Sequence, residues 1–151
     1  MKKFKVFVLA SLIALLVPTS AFASTDNLAP ISSKNTALSD PSGWQFKGSD
    51  EVSLYVGGST SSGWVTSEGG NAQVRVRNIS SANCYTFSLW EYDPNNANDQ
   101  ISQKKRYCGE QDLTIYDISG WKDGSDNDLE IYAKLEQPGT NDSSVYLYFY
   151  D

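Results

Sequence analysis

Histidine is absent from this chain of 151 residues, and cysteine occurs only twice. Without histidine, the usual Ser-His-Asp and Cys-His catalytic arrangements and histidine-based zinc sites are impossible. Two cysteines are too few for a four-cysteine zinc site, and no glycine-rich phosphate loop lies between a strand and a helix. Paired carboxylates remain, as in glycoside hydrolysis, but 18 acidic residues always provide such pairs. We therefore lean against an enzyme and keep a carboxylate-pair glycoside hydrolase as a lower alternative.

Basic residues are also few. The chain has 12 Lys and Arg against 18 Asp and Glu, a net charge of −6. A surface of that sign repels phosphate backbones and anionic lipid headgroups. We therefore expect neither a nucleic-acid partner nor a polybasic mode of membrane binding.

The N-terminus has the pattern of an export signal. Three lysines among the first five residues precede an apolar run at 6–17, and Ala-Phe-Ala at 21–23 supplies the small residues that signal peptidase requires. The apolar run is shorter than the ~20 residues that span a bilayer as a helix. We expect a signal peptide at 1–23, cleaved after Ala23, and a secreted, extracellular protein without a stable membrane anchor.

The remainder has the length of one domain with its own core. Residues 24–42 are rich in Ser, Thr, Asn and Pro, which predicts a flexible leader. Residues 43–151 are expected to form a single, monomeric domain. In an exported chain an isolated cysteine pair is expected to form one disulfide, here Cys84 with Cys108.

The domain shows apolar and polar residues alternating with period two, and no convincing helical stripe. Short alternating runs joined by Gly- and Asn-rich turns predict an all-β fold, an antiparallel β-sandwich of about seven to nine strands. A small closed β-barrel is the alternative. The alternating runs are 52–56, 73–77, 85–90, 112–116, 129–136 and 145–150.

The two cysteines suggest a hairpin. Residues 84–92 form one strand, 93–99 form a polar loop, and 102–108 return. With Cys84 opposite Cys108, the bridge closes the open end of this hairpin. The returning strand carries three consecutive cations at 104–106, which is typical of an edge strand protected against further pairing.

One acidic stretch could hold calcium, which prefers six to eight oxygen ligands in a flexible loop. The candidate ligands are Asp123, Asp126, Asp128 and Glu130. The stretch does not match the EF-hand pattern, and an ordinary solvated turn is the alternative, so no cofactor is expected beyond this calcium possibility. The loop 93–99 is a weaker second candidate, and the two loops could converge at one end of the sandwich.

Aromatic residues make up 13% of the chain. Several have the parity opposite to the predicted core, which would place them on the outer faces of the sheets, where flat amphipathic rings can contact a ligand. Ordinary cross-strand packing is the alternative. The candidate ligand-binding residues are Trp90, Tyr55, Tyr132, Tyr146, Tyr148 and Tyr150.

Three of the four tryptophans follow Ser-Gly, at Trp44, Trp64 and Trp121. Each copy is followed by a polar turn and an alternating run, so we interpret the tripeptide as a bent glycine that lays an indole across the end of the sandwich. Exposed sugar-stacking tryptophans are the alternative.

These features favour a secreted, acidic, non-catalytic binding protein. Its partner would be an extracellular glycan, a cell-wall polymer or a protein surface, met by aromatics on a sheet face. The alternative is a secreted antagonistic or membrane-active β-protein, such as a bacteriocin or toxin. Its alternating segments are mostly shorter than the ~9–11 residues of transmembrane strands.

Overall fold

The computed structural model describes residues 27–31, 42–122, 128–137 and 142–151. The predicted signal peptide lies outside these ranges. Within them the chain forms eight strands and one 3₁₀ turn. They contain no helix with the length and apolar character that a membrane crossing requires. The elements are β1 (Phe46–Leu54), β2 (Ser59–Ser67), β3 (Ala72–Arg77), β4 (Cys84–Glu91), β5 (Lys105–Cys108), β6 (Gln111–Ile115), the 3₁₀ turn (Ser119–Trp121), β7 (Leu129–Glu136) and β8 (Ser143–Tyr150).

The strands form two antiparallel sheets of four. Sheet I has the order β1-β8-β3-β6, and sheet II has the order β2-β7-β4-β5. The predicted all-β fold with two sheets and one disulfide is therefore confirmed. The edge strands β1 and β2 lie together on one side of the sandwich, and β5 and β6 lie on the other.

The core lies between the sheets and follows the alternation in the sequence. The strands of both sheets direct alternate side chains into the core, because successive side chains of a strand point to opposite faces. Burying these aliphatic and aromatic side chains is the main stabilising contribution. Those at 3% exposure or less include Val74, Val76, Phe87, Leu89, Ile131, Leu135, Leu147 and Phe149.

The cysteine hairpin has the predicted register. Cys84 is bonded to Cys108 and lies opposite it in the β4–β5 ladder, and Thr86 lies opposite Arg106. Strand β5 is an edge strand, as its basic run indicates. The bridge ties this short edge strand to β4, which is paired on its other side with β7.

Strand β2 was not predicted, because its buried side chains are Ser62, Val65 and Ser67. The register against β7 shifts between Ser61 and Trp64, so the alternation changes phase within the strand. The buried Ser62 hydroxyl accepts a hydrogen bond from the Ala133 amide at 3.0 Å, which compensates its burial. With serine at two of its three buried positions, the strand shows no apolar residues at every second position.

Residues 27–31 lie along the edge of β2. Pro30 forms a parallel bridge with Trp64, the Ile31 amide donates to the Trp64 carbonyl at 2.8 Å, and the Trp64 amide donates to the Ala29 carbonyl at 3.2 Å. Gly63 permits this approach, since a Cβ there would lie 2.5 Å from the Ala29 oxygen. Residues 27–31 belong to the predicted leader of 24–42, and they are held at the edge of the sheet by this isolated bridge and these two hydrogen bonds.

The three Ser-Gly-Trp copies have three different backbones. Gly43 lies in the turn before β1 with a φ of 85°, Gly63 lies within β2, and Gly120 lies in the 3₁₀ turn. Trp121 is 37% exposed. The interpretation of the tripeptide as a shared turn that places an indole over the core is therefore wrong, and the copies are not a structural repeat.

Candidate ligand-binding surface

The outer face of sheet II carries a row of aromatic side chains. Trp64 of β2 lies opposite Tyr132 of β7, and Tyr132 lies opposite Trp90 of β4. These three positions share the outward parity, since their chain neighbours Val65, Ile131 and Leu89 belong to the core. Neighbouring strands are ~4.8 Å apart, so the row crosses three strands over about 10 Å.

Tyr92 extends the row into an aromatic cluster, defined here as Trp64, Trp90, Tyr92 and Tyr132. The rings of Trp64 and Tyr92 are stacked, with centroids 6.0 Å apart and planes 13° apart. Those of Trp90 and Tyr132 are stacked at 6.4 Å. Tyr132 is 2% exposed, whereas the other three rings are partly exposed. The cluster is thus a packed aromatic layer whose middle ring is covered by its neighbours.

Hydrogen bonds fix the polar atoms of the cluster. The Trp64 indole donates to the Leu28 carbonyl at 3.2 Å, and the Trp90 indole donates to the Ser88 hydroxyl at 2.9 Å. The Asn98 side chain donates to the Tyr132 hydroxyl at 3.1 Å. Because all four rings are stacked and three of them also have a polar anchor, little rotamer freedom remains to be lost on binding.

One cation lies over the cluster. The Lys134 ammonium is 5.5 Å from the centroid of the Trp90 ring, within the range of a cation–π contact. Lys134 also lies opposite Ser88 in the β4–β7 ladder, beside the Trp90 indole anchor. The lysine covers part of one ring, and a ligand approaching Trp90 would meet or displace its side chain.

The structure brings together two predicted candidates, Trp90 and Tyr132, but it buries Tyr132. Tyr132 is on the predicted outward face, yet it cannot present its own ring to solvent because the cluster covers it. Sequence reasoning missed Trp64 and Tyr92 as members of this surface. Trp64 was missed because strand β2 was not predicted. Tyr92 lies directly after β4, and the alternation of that strand, continued by one step, would have placed it on the same face as Trp90.

The predicted tyrosine row on β8 lies on the outer face of sheet I, away from the cluster. Tyr146 is 37% exposed and Tyr148 is partly exposed, but Tyr150 is fully buried. The Phe46 ring packs on Tyr150 at 5.6 Å, and the Arg75 guanidinium lies 4.9 Å above it. The expectation of outward exposure is thus wrong for Tyr150, since neighbouring strands cover its ring.

Charged groups surround the exposed tyrosines of sheet I. Glu51 lies opposite Tyr146, and its negative charge, with its hydrogen bond, raises the pKa of that phenol. The Ser144 hydroxyl donates to the same carboxylate at 2.6 Å. Arg77 forms an ion pair with Asp112 across the β3–β6 pair. This face is a mixed charged and aromatic surface, whereas the cluster on sheet II is predominantly aromatic.

Tyr55 lies apart from both surfaces. Strand β1 ends at Leu54, and Tyr55 begins the turn to β2 with 58% of its surface exposed. Val56, its neighbour, is also exposed, and its amide donates to the Asp142 carboxylate at 3.0 Å. Tyr55 is therefore an isolated turn residue at one end of the sandwich.

The structure describes only two of the four candidate calcium ligands, because Asp123 and Asp126 lie outside the described residues. Asp128 and Glu130 are described, and Glu130 belongs to β7. Within the described ranges no three potential ligand side chains form a group that could hold a metal ion.

The second candidate loop, 93–99, is organised around Asp93. One carboxylate oxygen of Asp93 accepts from the Asn95 amide at 2.7 Å and the Asn96 amide at 3.1 Å, and the other accepts from the Asn96 side chain. These bonds are the local turn interactions typical of Asp. The loop starts beside β7, where the Tyr92 amide donates to the Glu130 carbonyl.

The fold and this surface define a small two-sheet β-protein with an aromatic layer on one outer face. The chain belongs to the family described as the YndA coiled coil domain, whose model matches residues 47–148. The described residues of that range contain no α-helix, so the words coiled coil correspond to no element among them. No curated protein matches this chain.

One solved structure is similar at a distance. The crystal structure of the Yersinia pseudotuberculosis-derived mitogen (YPM) shares 14% sequence identity, with a TM-score of 0.44. The match covers 67% of this chain and 81% of that chain. A likeness this remote carries no inference about activity or partners.

Proposed function

We propose that this chain is an exported, non-catalytic binding domain that holds an uncharged glycan on the aromatic cluster of sheet II. The observation that carries the proposal is the cluster itself: four aromatic side chains from neighbouring strands form one layer, and three are partly exposed. The apolar faces and edges of sugar rings pack well against indoles, and aromatic groups provide large contact areas at low entropic cost.

The charge of the chain supports a neutral ligand. A protein with a net charge of −6 repels polyanions such as nucleic acids and acidic polysaccharides over several ångströms. A neutral sugar polymer does not incur this repulsion.

Export is supported by two features. The N-terminal segment has the charge and apolar pattern of a signal peptide. The Cys84–Cys108 disulfide is of the kind that persists in oxidising compartments outside the cytosol. An extracellular binding domain would meet wall polymers and other glycans there.

Co-sedimentation with insoluble polysaccharides tests the proposal. The purified protein is pelleted with a panel of neutral wall and plant polysaccharides and with liposomes. The variants Trp64→Ala, Trp90→Ala and Tyr146→Ala are compared with Trp121→Ala. Trp121 is exposed but lies outside the cluster, so it is the matched control. We expect saturable pelleting with at least one polymer and a loss of about tenfold or more in affinity for each cluster variant.

Three outcomes would count against the proposal. Equal losses in the control and cluster variants would indicate non-specific adsorption. Unchanged pelleting of both cluster variants, with loss in Tyr146→Ala, would move the binding surface to sheet I. Pelleting with liposomes and with no polysaccharide would favour the membrane-active alternative.

A further inference from the structure

The two sides of the sandwich, where the edge strands of the sheets face each other, differ in what lies between those strands. On the side of β1 and β2, residues 27–31 lie along the edge of β2, and the Ile31 side chain packs against the core. The approach is close: a Cβ at Gly48 would lie 3.1 Å from Ile31. On this side an aliphatic side chain from an added segment, that of Ile31, therefore lies between the two edge strands.

The opposite side has a groove between β5 and β6. These edge strands are joined by the two residues 109–110, and they border a cavity of about 300 Å³. Its apolar lining is Phe87, Tyr107, Leu113 and Ile115. The strand that begins at the link, β6, ends at Ile115, and the next residue, Tyr116, is 75% exposed. The groove is thus lined in part by core side chains, Phe87 and Leu113.

Cations line this groove in an otherwise acidic protein. Lys104, Lys105 and Arg106 are consecutive and exposed, and the first two contribute to the groove lining. Lys104 forms an ion pair with Glu136, whereas the Lys105 ammonium lies 5.3 Å above the Tyr107 ring. The net charge of the chain is −6, so this run is a local reversal of sign at the rim of an apolar cavity.

We propose that the groove between β5 and β6 binds an extended acidic peptide of a partner protein. The peptide adds a strand at the edge of β5, places alternate apolar side chains in the groove, and directs its carboxylates at Lys105, which lines the groove, and at the exposed Arg106 beside it. Strand addition supplies main-chain hydrogen bonds, while the pockets and charges along the edge supply specificity. This proposal is independent of the glycan proposal, because it uses another side of the sandwich.

The opposing explanation is that the cations protect the edge. Lysines on an edge strand prevent pairing with other strands, and no ligand need be involved. The two explanations predict opposite effects when the charges are removed. Neutral residues would weaken the binding of an acidic peptide, but they would make a protected edge more available for pairing.

Fluorescence anisotropy with labelled synthetic peptides separates these explanations. The probes are a ten-residue peptide of alternating Asp and Val with capped ends, its Lys-Val counterpart, and the Asp-Val peptide methylated at alternate backbone nitrogens. We expect saturable binding of the first peptide, weaker in high salt, and little binding of the other two. Screening weakens charge pairs, and methylation removes the donors that strand addition requires.

The matched variants are Lys105→Gln with Arg106→Gln, and Lys47→Gln, which removes a cation from β1 on the opposite side. We expect the double variant to bind the Asp-Val peptide about three- to tenfold more weakly and Lys47→Gln to bind it normally. Tighter binding or new self-association of the double variant would overturn the proposal in favour of edge protection. Equal binding of the acidic and basic peptides would overturn it as well.

Discussion

Gly63 should control the attachment of residues 27–31 to the sandwich. The Gly63→Ala substitution adds one methyl group, and its ideal position lies 2.5 Å from the Ala29 carbonyl oxygen and 2.8 Å from the Ile31 side chain. Both distances are below van der Waals contact, and the closer atom belongs to the backbone. The methyl group therefore cannot be accommodated by a side-chain rotation, and the segment must move.

The expected change in unfolding free energy is moderate. Detachment breaks the two backbone hydrogen bonds to Trp64, each contributing about 0.5–1.5 kcal/mol, and exposes part of Ile31. The freed segment also regains backbone entropy, which offsets part of this loss. We therefore expect a net loss of at most about 2 kcal/mol, with the sandwich still folded.

Amide hydrogen exchange and denaturant unfolding would measure the two effects. In Gly63→Ala the Ile31 amide should lose its protection, while the central strand β8 should change only with global stability. Gly120→Ala is the matched control from the same tripeptide, since its Cβ would meet no atom within 4 Å. We expect its unfolding free energy to stay within about 0.5 kcal/mol of the parent. Retained protection of Ile31 in Gly63→Ala would refute the steric argument.

Two further predictions concern stability. Replacing both Cys84 and Cys108 with Ser should lower the unfolding free energy by about 3 kcal/mol, because the bridge closes a loop with a sequence separation of 24; denaturant titration checks this. Burial, followed by the neighbouring Tyr107, raises the pKa of Tyr85 above its usual 10, so its contribution to stability is present below pH 10 and is lost as the pH rises further. Tyr85→Phe should reduce that alkaline loss. At neutral pH it should be neutral or slightly stabilising, because the buried hydroxyl finds no hydrogen-bond partner in the described part of the chain. Unfolding curves between pH 7 and pH 11 would show both effects of Tyr85→Phe. If stability fell as steeply with pH in Tyr85→Phe as in the parent protein, the prediction for Tyr85 would be wrong.

Much of the fold follows from local patterns in the sequence. Alternation predicted β1, β3, β4, β6, β7 and β8, since period two and inward burial have the same geometric origin. The hairpin register followed from Cys84 and Cys108, because a disulfide requires the two residues to be close. Strand β2 escaped prediction because Ser62 and Ser67 occupy its inward positions, and their burial is compensated by hydrogen bonds that the sequence does not display.

The candidate surface was less predictable than the fold. Parity along one strand correctly placed Trp90, Tyr132 and Tyr150 on outer faces, but parity does not tell which outer residues are covered by their neighbours. Tyr132 is buried by rings from adjacent strands, and Tyr150 by Phe46 and Arg75. Such coverage depends on strand order and register between distant parts of the chain.

The sequence by itself determined the all-β class, the disulfide hairpin and the exclusion of histidine-dependent chemistry, because composition and period-two alternation are local properties. Tertiary structure alone decided that Trp64 and Tyr92 join Trp90 in one layer. It also decided that residues 27–31 pair with β2 and that the opposite side of the sandwich leaves a cationic groove. These features arise where segments far apart in the chain meet, and the contacts between them are set by sheet order, register and the space left at glycine positions such as Gly63.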